Sequence, residues 1–132
     1  MKKSVAPRNK TIILSPAEER RYIKSALKVS PSKKGCDLTN RVVWQDAMNV
    51  FSYIPDNFVD LMIVDPPYNL TKNFGDTKFK QMNLTEYKRW FDRWLSKTVR
   101  ILKPNASLYI CSDWQSSIVV PLVANKYFKL RN

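Results

Sequence analysis

Histidine is absent from this 132-residue chain, and cysteine and glycine occur only twice each. Without histidine, Ser/His and Cys/His nucleophiles are excluded, and most transition-metal chemistry loses its usual ligand. Cys36 and Cys111 are too few and too far apart for a zinc site, and both are expected as reduced thiols, with Cys111 a small buried residue in an apolar run. No stretch approaches the roughly 20 apolar residues that cross a bilayer. The basic start at 1–10 is not followed by a signal-peptide core. These absences predict a soluble, cytoplasmic protein with no metal and no membrane partner.

Positive charge, in contrast, is abundant. The formal net charge is +12, with ten Lys and Arg against two Glu in residues 1–35 (net +8) and thirteen against nine in the remainder (net +4). Such a block favours a polyanion by releasing counterions from phosphates; the plainer reading is a solvated tail. The length suits one small domain, and 44% hydrophobic residues are enough for a packed core.

Along the chain, residues 1–10 read as a basic arm. Ser15-Pro16-Ala17-Glu18 has the spacing of a capping box and opens a helix to about Lys28, with a linker at 30–35. A short strand at 41–44, a short helix at 47–53 and a turn at Pro55-Asp56-Asn57 follow. The apolar run 60–64 reads as a buried strand, broken off at Asp65-Pro66-Pro67-Tyr68, because proline donates nothing to a sheet ladder. Residues 69–77 are polar and read as a loop. A helix is expected from the capping spacing of Asn83 and Glu86 to about Leu102, ended by Lys103-Pro104-Asn105. Its Trp90, Phe91 and Trp94 sit at helical spacing and read as packing groups. A buried strand at 107–111, a helix at 116–125 and the start of a strand at 127–130 complete the chain.

This alternation predicts an α/β layer with a mostly parallel sheet, right-handed crossovers and flanking helices. Ligands bind such sheets beyond the carboxyl ends of the strands, where Asp46, Asp65 and Asp113 are all expected. Asp46 could instead cap the helix that follows it, and Asp113 is expected as a cap beside a packing Trp114. Asn69 and Phe74 border the corner without an assigned role.

An acid, two prolines and an aromatic ring in succession can activate the exocyclic amine of a nucleobase. Its lone pair is delocalised into the ring, so it is a poor nucleophile. The Asp65 carboxylate and the Pro66 carbonyl could each accept one amine hydrogen and localise that lone pair, with the prolines holding the carbonyl in place. Tyr68 could stack on a base flipped from its duplex, recovering about 1–3 kcal/mol of the flipping cost. Lys72, Lys78 and Lys80 are candidates for phosphate contacts nearby.

Asp65-Pro66-Pro67-Tyr68, the strand before it, Gln45-Asp46-Ala47 upstream and the segment 102–110 downstream resemble the DNA amino-methyltransferases, and more closely the β-type adenine-N6 group. The resemblance covers roughly 42–132. It implies a partial Rossmann-like fold using S-adenosylmethionine, with residues 1–35 as basic arm, helix and linker and 36–132 as the catalytic part of a methyltransferase domain. It further implies Asp65, Pro66, Pro67 and Tyr68 as catalytic, Asp46 and Asp65 as cofactor contacts, double-stranded DNA as partner and a bacterial or phage setting. The family's glycine-rich cofactor loop has no counterpart here, since Gly35 and Gly75 stand outside any Phe-x-Gly-x-Gly pattern. The chain therefore reads as truncated before the target-recognition region, or as one part of a split enzyme completed by a C-terminal chain. Cytosine-N4 methylation and an inactive DNA-binding fragment are the alternatives.

Overall fold

The computed structural model describes residues 13–31, 37–74 and 77–131. The basic arm at 1–10, the linker residues 32–35, Cys36 and both glycines lie outside them. The chain divides into two compact units, Met1–Asp46 and Ala47–Asn132, each described by itself.

In the first unit, helix α1 (Pro16–Ser25) begins as expected: the Ser15 hydroxyl accepts from the Glu18 N–H, and the Glu18 carboxylate accepts from the Ser15 N–H at 2.9 Å. It ends three residues earlier than Lys28, because the next backbone is used elsewhere. The Leu27 N–H donates to the Val42 carbonyl at 2.8 Å, and the Trp44 N–H donates to Leu27 at 3.1 Å. These bonds form an isolated parallel bridge between Leu27 and Val43, which is all that appears of the strand expected at 41–44.

The second unit opens with α2 (Ala47–Val50), continued by a 3-10 turn over Phe51–Tyr53. Asn57 then adopts a left-handed φ of 52°, which asparagine tolerates in a tight turn. Strand β1 (Val59–Val64) pairs in parallel with β4 (Leu102–Ile110), and helix α3 (Leu84–Thr98) connects them. Among the described residues this is the only parallel pairing between named strands, so the sheet is smaller than the alternation predicts. The segment expected as a polar loop instead carries an antiparallel hairpin, β2 (Lys72–Phe74) and β3 (Thr77–Phe79).

Helix α3 is opened by a second capping box, Asn83 with Glu86. It buries Tyr87, Phe91, Trp94, Leu95 and Thr98 at intervals of three and four. It does not reach Leu102, and Lys103-Pro104-Asn105 does not end it; those residues belong to β4. The Thr98 hydroxyl turns back on the Leu95 carbonyl at 2.7 Å, and the Ile101 carbonyl accepts from both Phe58 and Val59, each at 2.9 Å. Pairing with β1 thus captures the chain just after the helix. Val59 faces Leu102 while Leu61 already faces Ser107, so the intervening residues of β4 bulge out. Proline is tolerated in a bulge because no ladder bond needs its missing N–H. Lys103 closes the bulge on Asp60 at 2.7 and 2.8 Å.

Beyond β4, a 3-10 turn (Ser116–Ile118) runs into α4 (Val119–Ala124), with Pro121 in its first turn. Residues 127–130 are not a strand: the Tyr127 and Phe128 N–H groups fold back on the Ala124 carbonyl. Lys126 and Tyr127 both bond Asp92 of α3 at 2.8 Å, which holds that carboxyl below its ordinary range.

Met62, Val64, Leu108 and Ile110 pack against the core that α3 and α4 bury. The other face is bare, with Leu61, Ile63 and Tyr109 at 54%, 69% and 59% exposed, so both strands expected as buried are covered on one side only. Cys111, expected in the core, is also exposed, because strand alternation puts it on the same face as Tyr109. Among the described residues no helix is long and apolar enough to cross a membrane.

Leu95 is fully buried at the centre of the α3 stripe. Leu95→Ala should cost about 2–5 kcal/mol, a large part of the roughly 5–15 kcal/mol typical of a domain. Urea denaturation should show this as a lower midpoint with an unchanged slope.

Candidate active site at the end of the first strand

The last rung of the β1–β4 pairing sets where the corner starts. Val64 faces Ile110, and the Cys111 N–H donates to the Val64 carbonyl at 2.8 Å. Asp65 is the first residue past that rung, and the two prolines prevent further pairing. The chain after β4 leaves from the same edge, so Asp65 and Asp113 are brought to one end of the sheet, as expected for that pair. Asp46 belongs to the first unit.

The corner folds on itself. The Tyr68 hydroxyl donates to Asp65 Oδ1 at 2.8 Å. This bond, then the nearby carboxylates of Asp65 and Asp113, pushes the Tyr68 phenol above the ordinary tyrosine value. One carboxylate oxygen is therefore engaged by the tyrosine, while the carboxylate keeps further lone pairs for another donor. The Pro67 carbonyl accepts from the Tyr87 hydroxyl of α3 at 3.1 Å. No described residue donates to the Pro66 carbonyl.

Asn69, to which sequence reasoning gave no role, is 6% exposed and clamps the base of the loop. Its Nδ2 donates to the Met82 carbonyl and its Oδ1 accepts from the Met82 N–H, both at 2.8 Å. A second tie joins the Gln81 N–H to the Thr71 hydroxyl at 3.1 Å. The hairpin between these ties carries Lys72 and Lys78, and Lys80 follows it; all three are exposed. Strand alternation puts Lys78 and Lys80 on the face opposite Phe79, whose ring meets Trp90 edge-on at 5.3 Å. Lys72 pairs across from Phe79.

Asp113 caps the turn after β4, as expected: its carboxylate accepts from the Ser116 N–H at 2.8 Å, and its N–H donates to the Ser116 hydroxyl at 3.2 Å. The Ser116 hydroxyl also bonds this carboxylate, which holds it below its ordinary range. Trp114 is 76% exposed and is not the packing group that was expected. Phe91 and Trp94 are core residues, as their spacing implies, and Trp90 packs against that core.

In the first unit, Asp46 lines an open hollow of about 510 Å³ with Lys28, Val29, Trp44 and Gln45. Gln45 Oε1 accepts from the Val29 N–H at 3.0 Å, and Lys28 Nζ lies 5.0 Å from the Trp44 ring centre. Among the described residues no group of three or more acidic or thiol side chains could hold a metal ion.

Sequence reasoning missed Tyr87, Asn69 and Ser116. Tyr87 reads as one more member of an apolar stripe; the signal available was a hydroxyl among side chains otherwise suited to the core.

The DNA methylase family profile matches residues 59–132. The chain is 29% identical over 87 residues to the Type II methyltransferase M.BamHI of Bacillus amyloliquefaciens, covering 66% of this chain and 21% of that protein. It is 34% identical over 73 residues to the Type II methyltransferase M.HpaI of Haemophilus parainfluenzae, covering 55% and 23%. It is 27% identical over 106 residues to the DNA adenine methyltransferase YhdJ of Escherichia coli strain K12, covering 76% and 36%. The chain thus spans about a fifth of the length of the two Type II relatives.

The contact between Asp65 and Tyr68 is open to direct measurement. Asp65→Ala removes both the acceptor and its charge, so the Tyr68 phenol should ionise at lower pH than in the parent chain. A ¹³C NMR titration of the tyrosine Cζ resonances checks this, and an unmoved midpoint would mean that the pair does not form in solution.

Proposed function

The chain belongs to the DNA methylase family, and from that premise we propose that it carries the catalytic corner of a DNA adenine-N6 methyltransferase. The observation that carries this reading is the self-folded Asp65-Pro66-Pro67-Tyr68 corner at the carboxyl end of β1. Its carboxylate is held by an exchangeable hydroxyl, and its second proline is anchored from below.

A flipped adenine would present its amine to Asp65 and take over the oxygen that Tyr68 engages in the free chain. The second amine hydrogen would go to the Pro66 carbonyl. Two acceptors on one amine localise the nitrogen lone pair, and a fixed carbonyl requires no reorganisation during reaction. Tyr68, freed from Asp65, stacks its ring on the base. S-adenosylmethionine, when bound, supplies an electrophilic methyl group. Asp65 and Pro66 orient the amine toward it, and the amine proton is lost to water.

The hollow beside Asp46 suits the adenosine part of that cofactor: a carboxylate to accept hydrogen bonds and an exposed Trp44 ring. The chain's two glycines, Gly35 and Gly75, stand outside any Phe-x-Gly-x-Gly pattern for close approach to the methionine part. The matched relatives extend well beyond this chain, which covers about a fifth of the two Type II methyltransferases. We therefore assign whole-enzyme activity to this chain together with the remaining family segments, as a C-terminal chain or continuation. The Type II names of two relatives support a role in restriction–modification.

Methyl transfer to duplex DNA, measured with the complementing segments supplied and with nucleosides identified by mass spectrometry, tests this reading. N6-methyladenine is the expected product, and Asp65→Ala should lower the rate by about 10²–10³-fold or more. Formation of N4-methylcytosine would overturn the adenine assignment. An unaffected Asp65→Ala enzyme would overturn the role of the corner.

Lys78 and Lys80, and Lys72 across the hairpin, are proposed phosphate contacts. The double variant Lys78→Ala/Lys80→Ala should weaken duplex binding alike for all sequences. It should also make the slope of log K against log salt shallower by about 2, since each phosphate contact contributes roughly 0.9.

A further inference from the structure

We propose that Tyr87 is a positioning residue for the Asp65–Tyr68 corner, its buried hydroxyl fixing the peptide plane that the two prolines would otherwise leave free to turn. The proposal rests on the corner acting on a base amine, as proposed above, and names a residue outside the motif that sets its geometry.

The chain between Asp65 and Tyr68 has few soft torsions. Peptide bonds are planar, and proline locks its own φ near −65°. Within the two prolines, the ψ angles of Pro66 and Pro67 are therefore the freedoms left. The Tyr68 hydroxyl closes this short segment on Asp65 at 2.8 Å. The Tyr87 hydroxyl takes the Pro67 carbonyl at 3.1 Å, and so fixes the second ψ. The Pro66 carbonyl, one peptide unit before the one Tyr87 holds, has no donor among the described residues. That is the condition an acceptor for an incoming amine needs.

Tyr87 is well placed to impose such a constraint because it cannot move. It is 0% exposed, and its N–H donates to the Asn83 carbonyl at 2.9 Å in the capped first turn of α3. Its ring stacks on Trp90 at 5.4 Å with planes 21° apart and lies 6.1 Å from Phe91. The Tyr87 hydroxyl thus ties the buried face of α3 to the corner after β1. A tyrosine serving only to fill the core would need a partner for its hydroxyl, but not the one carbonyl that orients this corner.

Tyr87→Phe keeps the ring and removes the hydroxyl. In the full 132-residue chain, the Tyr68 amide resonance, which belongs to the Pro67–Tyr68 peptide unit, should move, while that of Lys97 at the far end of α3 stays. The Tyr68 phenol should ionise at lower pH as its contact with Asp65 loosens. In the complemented enzyme, Tyr87→Phe should lower kcat by about 10–100-fold, the scale of a small misplacement, with KM for DNA within about twofold. A lowered melting temperature with the Tyr68 amide and phenol unmoved would overturn the proposal, since Tyr87 would then be only a core residue. If Tyr87→Phe does not fold, the parent chain decides. A slowly exchanging Tyr87 hydroxyl proton with a cross-peak to the Tyr68 amide supports the proposal, and a rapidly exchanging one without it overturns the proposal. If the complemented parent enzyme transfers no methyl, the proposed function fails, while the resonances of the chain alone still decide whether Tyr87 holds the corner.

Discussion

The carbonyl of Ile101 accepts two backbone N–H groups at once, from Phe58 and Val59. The rest of the second unit follows from that contact. It draws the chain out of α3 and into β4, and so aligns β4 beside β1. The bulge around Pro104 absorbs the extra residues, and the register then runs without interruption to Val64 and Ile110. Where that register ends, the Asp65–Tyr68 corner begins. Arg100 strengthens the same junction from the neighbouring position, reaching the Ile54 and Phe51 carbonyls and the Asp56 carboxylate.

Exposure and support are divided between different residues. Asp65 is exposed and Tyr68 half-buried, as a site for a large substrate requires. The groups that tie the corner and its loop, Tyr87 and Asn69, are buried to 6% exposure or less, as is Ser116, which bonds Asp113. Hydrogen bonds from buried side chains are not competed for by water, and leaving their partners unpaired is costly. Rigidity at the corner therefore comes from the core, while the reactive groups stay in contact with solvent.

Much of this was legible in the sequence. Both capping boxes, the strand before the corner and the apolar stripe of α3 are local patterns, and local patterns carry their own instructions. What failed depended on distant pairing. Pro104 reads as a helix stop when only its neighbours are considered, but its place is decided by β1, more than forty residues earlier. The end of α1 moved because Val42 and Trp44 claim the backbone of Leu27. The hairpin at 72–79 lacks the apolar alternation of a sheet and forms where two side-chain ties close its base. Cys111 and Trp114 looked suited to packing, yet they lie just past the strand, where no layer covers them. At the site, the four-residue motif stood out at once, whereas Tyr87 was hidden among core aromatics because its purpose lies twenty residues away.

The amide of Asn69 has one more consequence. Because it binds both the N–H and the carbonyl of Met82, the two ends of the intervening segment are joined much as a strand pair would join them. A loop closed at its neck behaves as a cassette. Substitutions in the strands between these ties would leave the spacing between Tyr68 and α3 set by the Asn69–Met82 pair.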